Sequence, residues 1–331
     1  MLTQPALNTL SKNDPIDHFL LIRRIEIRNT RSGSSYLSTE LGDKSASLNA
    51  NVWEGFSDIA GKAKIGEIVK VAGSIEEFQG ALQIKVSFIK LAKPSDKVTP
   101  IDFLPVSQRN IEEMKKEFNE KIKSITDEHL AKLIINIFSD EKFEKFCTAP
   151  AGKSWHHAYI HGLLEHTLEI VKICELMCEF HTELNRSLLI SGAMLHDIGK
   201  IEELSYDSAF EYTDKGKLIG HIVIASMLVK DEIKKIPGFP QELENNIIHL
   251  ILSHQGKLEH ASPVVPKTVE AIALYQADEL SAKVNAYKST LNSEIKIDSN
   301  WTRFISLADT DLHRHNLNTN KDKGSKESLF D

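Results

Sequence analysis

Histidine 196 and aspartate 197 stand side by side where an apolar run, Leu188 to Leu195, gives way to Ile198-Gly199-Lys200. Imidazole nitrogens and carboxylate oxygens both ligate divalent cations, and a carboxylate with two oxygens can bridge a pair of them. A bridged pair can hold a phosphoryl group and activate water against it. Further donors lie upstream at His166 and downstream at His221, His254 and Asp278. No cysteine belongs to this set, which speaks against a closed structural zinc site. Neutral imidazoles mixed with carboxylates suit Mn²⁺, Fe²⁺, Co²⁺ or Zn²⁺ better than Ca²⁺. Lys200 stands where its charge could meet a phosphate.

Each donor has a plainer reading when taken alone. His166 falls on an apolar helical stripe with Leu163, Ile170, Ile173 and Met177, where a buried imidazole needs a hydrogen bond or a metal. His221 could be an ordinary helix-start residue, and Asp278 could pair with Lys283 or Lys288 on the surface. His249 competes with His254, but five residues apart they face different sides of a helix. His254 is preferred because it ends a helix beside Gly256. The ordered series of His, His-Asp, His, His and Asp is more specific than any member.

These donors need helices to carry them. Apolar residues recur at helical spacing in Ile111, Met114, Phe118 and Ile122, and again in Leu130, Leu133, Ile134 and Ile137. Thr126-Asp127-Glu128 reads as a helix start. Further helices are predicted over Tyr159–Phe180, Arg186–His196, Gly220–Lys235, Leu243–Leu252 and Lys267–Lys288. The region is therefore expected to be all α.

The texture before it is different. Phe19–Arg28, Tyr36–Leu41, Ala46–Trp53, Ile68–Ile75 and Leu82–Ile89 read as strands, with a turn at Asn29–Gly33 and a short helix at Phe56–Ala60. Five strands with a helix between the third and fourth match the element order of an OB-fold barrel. Such barrels bind single strands by stacking bases on exposed rings. Tyr36, Trp53 and Phe78 are the candidate rings, against the alternative that they fill the core. Phe88, inside an apolar strand, is expected in the core. The organisation expected is a flexible leader over 1–15, an OB-like barrel over 16–98, a helical linker region over 99–150, a helical metal-binding domain over 151–312 and a disordered tail over 313–331.

The 331 residues suffice for two domains. With 40 Lys and Arg against 47 Asp and Glu the net charge is −7, not the basic footprint usual for nucleic-acid binders. Metals or a local groove can offset that. The cysteines, Cys147, Cys174 and Cys178, are too few for a disulfide framework and fit reduced core residues. Residues 1–15 lack the charged start and apolar middle of a signal peptide. No apolar run approaches the roughly 20 residues that span a bilayer. A soluble, cytoplasmic protein without membrane contact is expected.

The residues resemble the HD-domain metal-dependent phosphohydrolases. The segments that carry the likeness are Ser154-Trp155-His156-His157, Gly162-Leu163-Leu164-Glu165-His166, Leu195-His196-Asp197-Ile198-Gly199-Lys200, Ile219-Gly220-His221-Ile222, Ile251-Leu252-Ser253-His254-Gln255-Gly256 and Ala277-Asp278-Glu279-Leu280-Ser281. With the strand-rich module in front, the chain looks like the YhaM-type 3′→5′ exoribonucleases. The resemblance implies two divalent cations, with Mn²⁺ first among those named. It implies one held by His166, His196, Asp197 and Asp278, and a second by Asp197, His221 and His254. It places His157 and Lys200 at the substrate phosphate. Gln255 departs from the family pattern, which carries a second histidine there. The implied activity is hydrolysis of single-stranded RNA, and of single-stranded DNA as a second substrate, from the 3′ end to nucleoside 5′-monophosphates. The competing readings are a phosphohydrolase of small nucleotides or signalling dinucleotides and a non-catalytic nucleic-acid scaffold. OB and HD modules both occur in oligomers, so self-association is compatible with the sequence.

Overall fold

The computed structural model describes residues 4–30, 33–56, 59–78, 81–206, 209–293, 299–306 and 308–315. Most of the expected tail lies outside the described residues.

Strands β1 (Pro15–Asn29), β2 (Ser35–Gly42), β3 (Ser47–Val52), β4 (Ile68–Phe78) and β5 (Ala81–Leu91) close into a barrel in the order β1-β2-β3-β5-β4. Closure depends on the length of β1. Its first half, Pro15–Leu21, pairs with β4, and its second half pairs with β2, with an irregularity between Ile22 and Arg24. Such a break bends the strand and lets it serve both neighbours. Leu20, Leu37, Leu41, Val69, Val71 and Ile84 fill the interior. The expected helix at Phe56–Ala60 falls partly outside the described residues. What is described there is a turn, in which the N–H groups of Ile59 and Ala60 both donate to the Phe56 carbonyl.

The leader is not loose in its described part. Leu7 joins the barrel core at 2% exposure, and its N–H donates to Asp43. The Gln4 amide makes reciprocal hydrogen bonds with the Phe19 backbone. Leu7 and Leu10, both packed on the barrel core, are too few in a polar stretch to announce an element, so the sequence reading missed this docking.

Helices α1 (Ile111–Lys123), α2 (Glu128–Ile137), α3 (Asp140–Thr148), α4 (Gly162–Phe180), α5 (Arg186–Leu195), α6 (Lys200–Glu203), α7 (Asp214–Ile219), α8 (His221–Ile233), α9 (Gln241–Ser253) and α10 (Val269–Ser293) follow. The starts are chemically marked. Asn110, Asp127 and Asn185 each accept N–H groups of the following turn, which caps α1, α2 and α5. Met114, Phe118, Leu133 and Phe146 from α1–α3 share one core with Leu164, Leu189 and Leu250. The stretch expected as a linker region is thus part of the helical body. A separate cluster of Leu21, Ile68, Phe103, Leu104, Ile160 and Phe210 joins the barrel to that body.

Residues from Lys283 onward form a second unit. Within it the Thr302 N–H donates to the Leu312 carbonyl, and the rings of Trp301 and His313 lie 4.7 Å apart. Among the described residues no helix is long and apolar enough to cross a membrane.

Candidate metal centre

Four of the donors stand at helix ends and two within helices. His196 is the C-terminal cap of α5 and His254 that of α9, so each side chain leaves its helix at the rim. His221 opens α8 directly after Gly220. His166 lies in the second turn of α4, and Asp278 lies on α10. Gly199 permits the crowding: a Cβ there would come within 2.1 Å of the His221 carbonyl oxygen and 2.8 Å of the Ala225 nitrogen. A larger residue would push α8, and His221 with it, away from Asp197.

Asp197 lies at the middle, 2% exposed. Its Oδ2 faces Nε2 of His196 at 3.2 Å and of His166 at 3.8 Å. Its Oδ1 faces Nε2 of His221 at 3.5 Å and of His254 at 3.6 Å. Asp278 Oδ1 is 3.1 Å from His166 Nε2. Two potential ligand groups result, His166 with His196 and Asp197, and Asp197 with His221 and His254. All six donors expected from the sequence therefore meet. His249 does not join them, and its Nε2 accepts the Lys267 N–H instead.

The donor chemistry fits divalent cations. Nδ1 of His196 lies 2.8 Å from the Ala193 carbonyl and Nδ1 of His254 lies 2.7 Å from that of Ile251. A carbonyl only accepts, so each Nδ1 carries a hydrogen, and the ring in its neutral form offers its Nε2 lone pair inward. His221 Nδ1 is fixed in the same sense by Glu203. His166 Nδ1 meets Ser281 Oγ at 3.1 Å, and that hydroxyl donates onward to Glu169, so it accepts from the histidine. Nε2 of His166, Nε2 of His196 and Oδ1 of Asp197 are buried without a hydrogen bond. Buried polar atoms left this way cost free energy, and a cation among them removes the cost.

Burial holds His254 down at about 4 and His166 well below the ordinary imidazole value. Both are therefore neutral, as ligation requires, at pH 7. Burial alone would raise the Asp197 carboxyl. The Lys200 ammonium and then His196 outweigh it and hold Asp197 well below the usual carboxylate range. For His196 the burial penalty is outweighed by the Asp197 carboxylate, and its value is raised.

The residues expected at a phosphate are close by. Lys200 Nζ is 2.7 Å from Asp197 Oδ2, so its charge already rests on the carboxylate. His157 is buried with its ring 5.0 Å from that of His166, and its Nε2 is 3.3 Å from Glu169 Oε2. Sequence reasoning missed His156, whose ring lies 5.2 Å from His166. It also missed Glu203, Glu169 and Ser281. For Glu169 a signal existed, since it stands three residues after His166 on the same helical face. The Gln255 amide nitrogen lies 3.4 Å from His221 Nε2, at the edge of the same group.

On the barrel, Tyr36 and Trp53 stack with ring centroids 4.5 Å apart, and Trp53 is 58% exposed. Register explains the contact, because Leu37 pairs with Val52 and the rings belong to the adjoining residues. Phe78 is also exposed but stands apart from this pair. It pairs with Ala81 at the start of β5, whereas β3 runs parallel to β5 from Asn49↔Gln83 toward its Trp53 end. Phe88, expected in the core, is 50% exposed instead. The alternation of Ile84 and Val86 is broken by a register shift between Ala72 and Gly73 on the partner strand, which leaves Ser87 as an extra residue. One extra residue reverses the faces, so Ile89 turns inward and Phe88 outward.

The HD domain family matches residues 163–283, a span that holds all six donors. An OB-fold nucleic acid binding domain matches residues 22–92. A protein of Oceanobacillus iheyensis named 3′-5′ exoribonuclease YhaM is 34% identical, over 82% of this chain and 85% of its own length. Proteins of the same name from a Geobacillus species and from Listeria welshimeri are each 32% identical, covering 82% and 84% of this chain and 83% and 88% of theirs. A replication protein A domain from Methanococcus maripaludis matches 27% of this chain and 94% of its own at 21% identity and a TM-score of 0.24, too weak to add to the barrel topology. Related along most of its length to proteins of one name, and carrying an OB-fold before an HD domain, the chain belongs to the YhaM family of 3′-5′ exoribonucleases.

Proposed function

We propose that the chain hydrolyses single-stranded RNA from the 3′ end and releases nucleoside 5′-monophosphates, with a pair of divalent cations, Mn²⁺ first among the candidates. The observation that carries this reading is the division of Asp197, whose two oxygens face different histidine pairs. His166, His196, Asp197 and Asp278 would hold one cation, and Asp197, His221 and His254 the other. Bound there, divalent cations supply Lewis acidity toward a phosphoryl oxygen and a lowered water pKa.

The protein's own groups do the rest. The hydrogen bonds on Nδ1 fix each imidazole so that its Nε2 faces inward without reorganisation during the reaction. Lys200 adds a buried positive charge beside Asp197, where non-bridging phosphate oxygens gain negative charge. His157, held by Glu169, is the second phosphate contact. Tyr36 and Trp53 offer a stacked platform on which bases rest irrespective of sequence. Phe78 is a separate contact at the other end of β5. In this division of labour residues 16–98 grip the strand and 151–312 cut it, with the helices of 99–150 built into the cutting body. Turnover of RNA is in keeping with the cytoplasmic location expected from the sequence.

The test is a time course with 5′-labelled single-stranded RNA and Mn²⁺, run beside DNA of the same sequence. A ladder shortening from the 3′ end supports the reading. Intact strands beside hydrolysed mononucleotides or dinucleotides would move the assignment to a small-nucleotide phosphohydrolase. Comparable ladders on DNA would widen the substrate class.

A further inference from the structure

Phe88 is an apolar ring turned to solvent by a built feature of the barrel. The extra residue in β5, Ser87, is pinned where its Oγ donates to the Ala72 carbonyl at 3.0 Å. Opposite it stands Gly73, and a Cβ at that position would come within 2.0 Å of the Lys85 carbonyl oxygen. Only glycine lets the two strands approach so closely, so the bulge and the outward Phe88 come as one unit. Bulges commonly re-aim side chains beside functional surfaces.

The ring borders a cleft of about 370 Å³, toward the lower end of ligand-sized pockets. Val52, Glu54, Gly55, Lys62 and Lys90 also line it. Lys90 Nζ is 5.7 Å from the Phe88 ring centroid. Val52 and Glu54 stand on either side of Trp53 in the chain, so the cleft lies at the end of β3 near the Tyr36–Trp53 stack while neither ring lines it. Apolar face, paired cations and one carboxylate are the groups that would recognise a base, its phosphates and an exocyclic amino group.

We propose that Phe88 is a second base-stacking site, distinct from the Tyr36–Trp53 platform, that takes one nucleobase of a single strand into this cleft with Lys62 and Lys90 at the adjoining phosphates. Glu54 accepts a hydrogen bond from the amino group of that base. This site rests on the reading of the chain as a single-strand nuclease and extends its grip past Trp53.

The experiment measures binding of a labelled single-stranded RNA oligonucleotide to the full chain in EDTA, where no hydrolysis occurs, for wild type, Phe88→Ala, Phe88→Tyr and Lys90→Ala. Loss of one stacked base should weaken Phe88→Ala about 5- to 150-fold. Phe88→Tyr, which keeps the ring, should bind like wild type. Lys90→Ala should lower the slope of log affinity against log salt by about one. Hydrolysis of a dinucleotide with Mn²⁺ should be the same in all four. Wild-type affinity in Phe88→Ala overturns the site while leaving the nuclease reading intact. Failure of the wild-type chain to bind RNA in EDTA also overturns this site, whereas the nuclease reading fails only if no 3′ ladder forms with Mn²⁺.

Discussion

Glu203 Oε1 accepts two hydrogen bonds from His221, one from its backbone N–H and one from Nδ1, each 2.9 Å long. The pair sets the rotamer and the tautomer of His221 together. A carboxylate behind a ligating imidazole also strengthens the basicity of the inward nitrogen. Removing such a partner typically costs 10- to 100-fold in metal affinity. Glu203→Ala is therefore expected to lower Mn²⁺ affinity by about that factor, and Glu203→Gln by less, because an amide oxygen still accepts the Nδ1 hydrogen. Titration calorimetry with Mn²⁺ checks this. Unchanged affinity in Glu203→Ala would remove Glu203 from the site.

Asp197 serves both halves of the centre, so its loss should not be confined to one cation. Asp197→Asn is expected to reduce bound metal in both ligand groups and to abolish hydrolysis. It also strands the Lys200 ammonium, now 2.7 Å from Asp197 Oδ2, in a buried site. Leaving a buried charge unpaired costs about 3–5 kcal/mol. The double variant Asp197→Asn with Lys200→Met should regain most of that stability without regaining metal. Metal analysis beside urea unfolding separates the effects. Full metal content in Asp197→Asn would contradict the bridging role.

Four of the six candidate donors were legible because helix ends beside glycine, as at His196-Asp197-Ile198-Gly199, mark where side chains leave a regular element, whereas His166 and Asp278 lie within helices and were read from their place in the ordered series. Glu203 was not, because a carboxylate beyond Lys200 carries no period and its partner lies eighteen positions later. The barrel strands were legible from their alternation. Phe88 was misplaced because alternation assumes an unbroken register, and a bulge depends on the partner strand. Gly73, read only as part of β4, was the one local sign of it. The docked leader failed for a related reason: Leu7 and Leu10 are too few to show a period and find their neighbours only in the folded barrel.

Trp53, exposed and stacked on Tyr36, should bind strands without affecting chemistry. Trp53→Ala is expected to weaken binding of a long single strand by about 5- to 150-fold. Turnover of a dinucleotide, which this division of labour assigns to the metal centre alone, should stay unchanged. A point substitution is the better probe than removal of residues 1–98. Leu21 and Ile68 of the barrel pack with Phe103 and Phe210, and their loss would expose those rings. Equal losses on long and short substrates would count against the division of labour.

His254 gives the metal-free protein a pH signature. Burial holds its folded value at about 4, against roughly 6.5 in an unfolded chain. Between those values the unfolded chain binds the extra proton, so stability rises with pH through that window. It is complete above about pH 6.5 and is lost as pH falls toward 4. The shift caps this contribution at roughly 3 kcal/mol, since each pKa unit is worth about 1.4 kcal/mol. His254→Asn cannot titrate and should flatten that part of the curve. Urea unfolding of EDTA-treated protein at pH 7, 5.5 and 4.5 checks it. Parallel losses in wild type and variant would show that His254 is not held neutral by its burial.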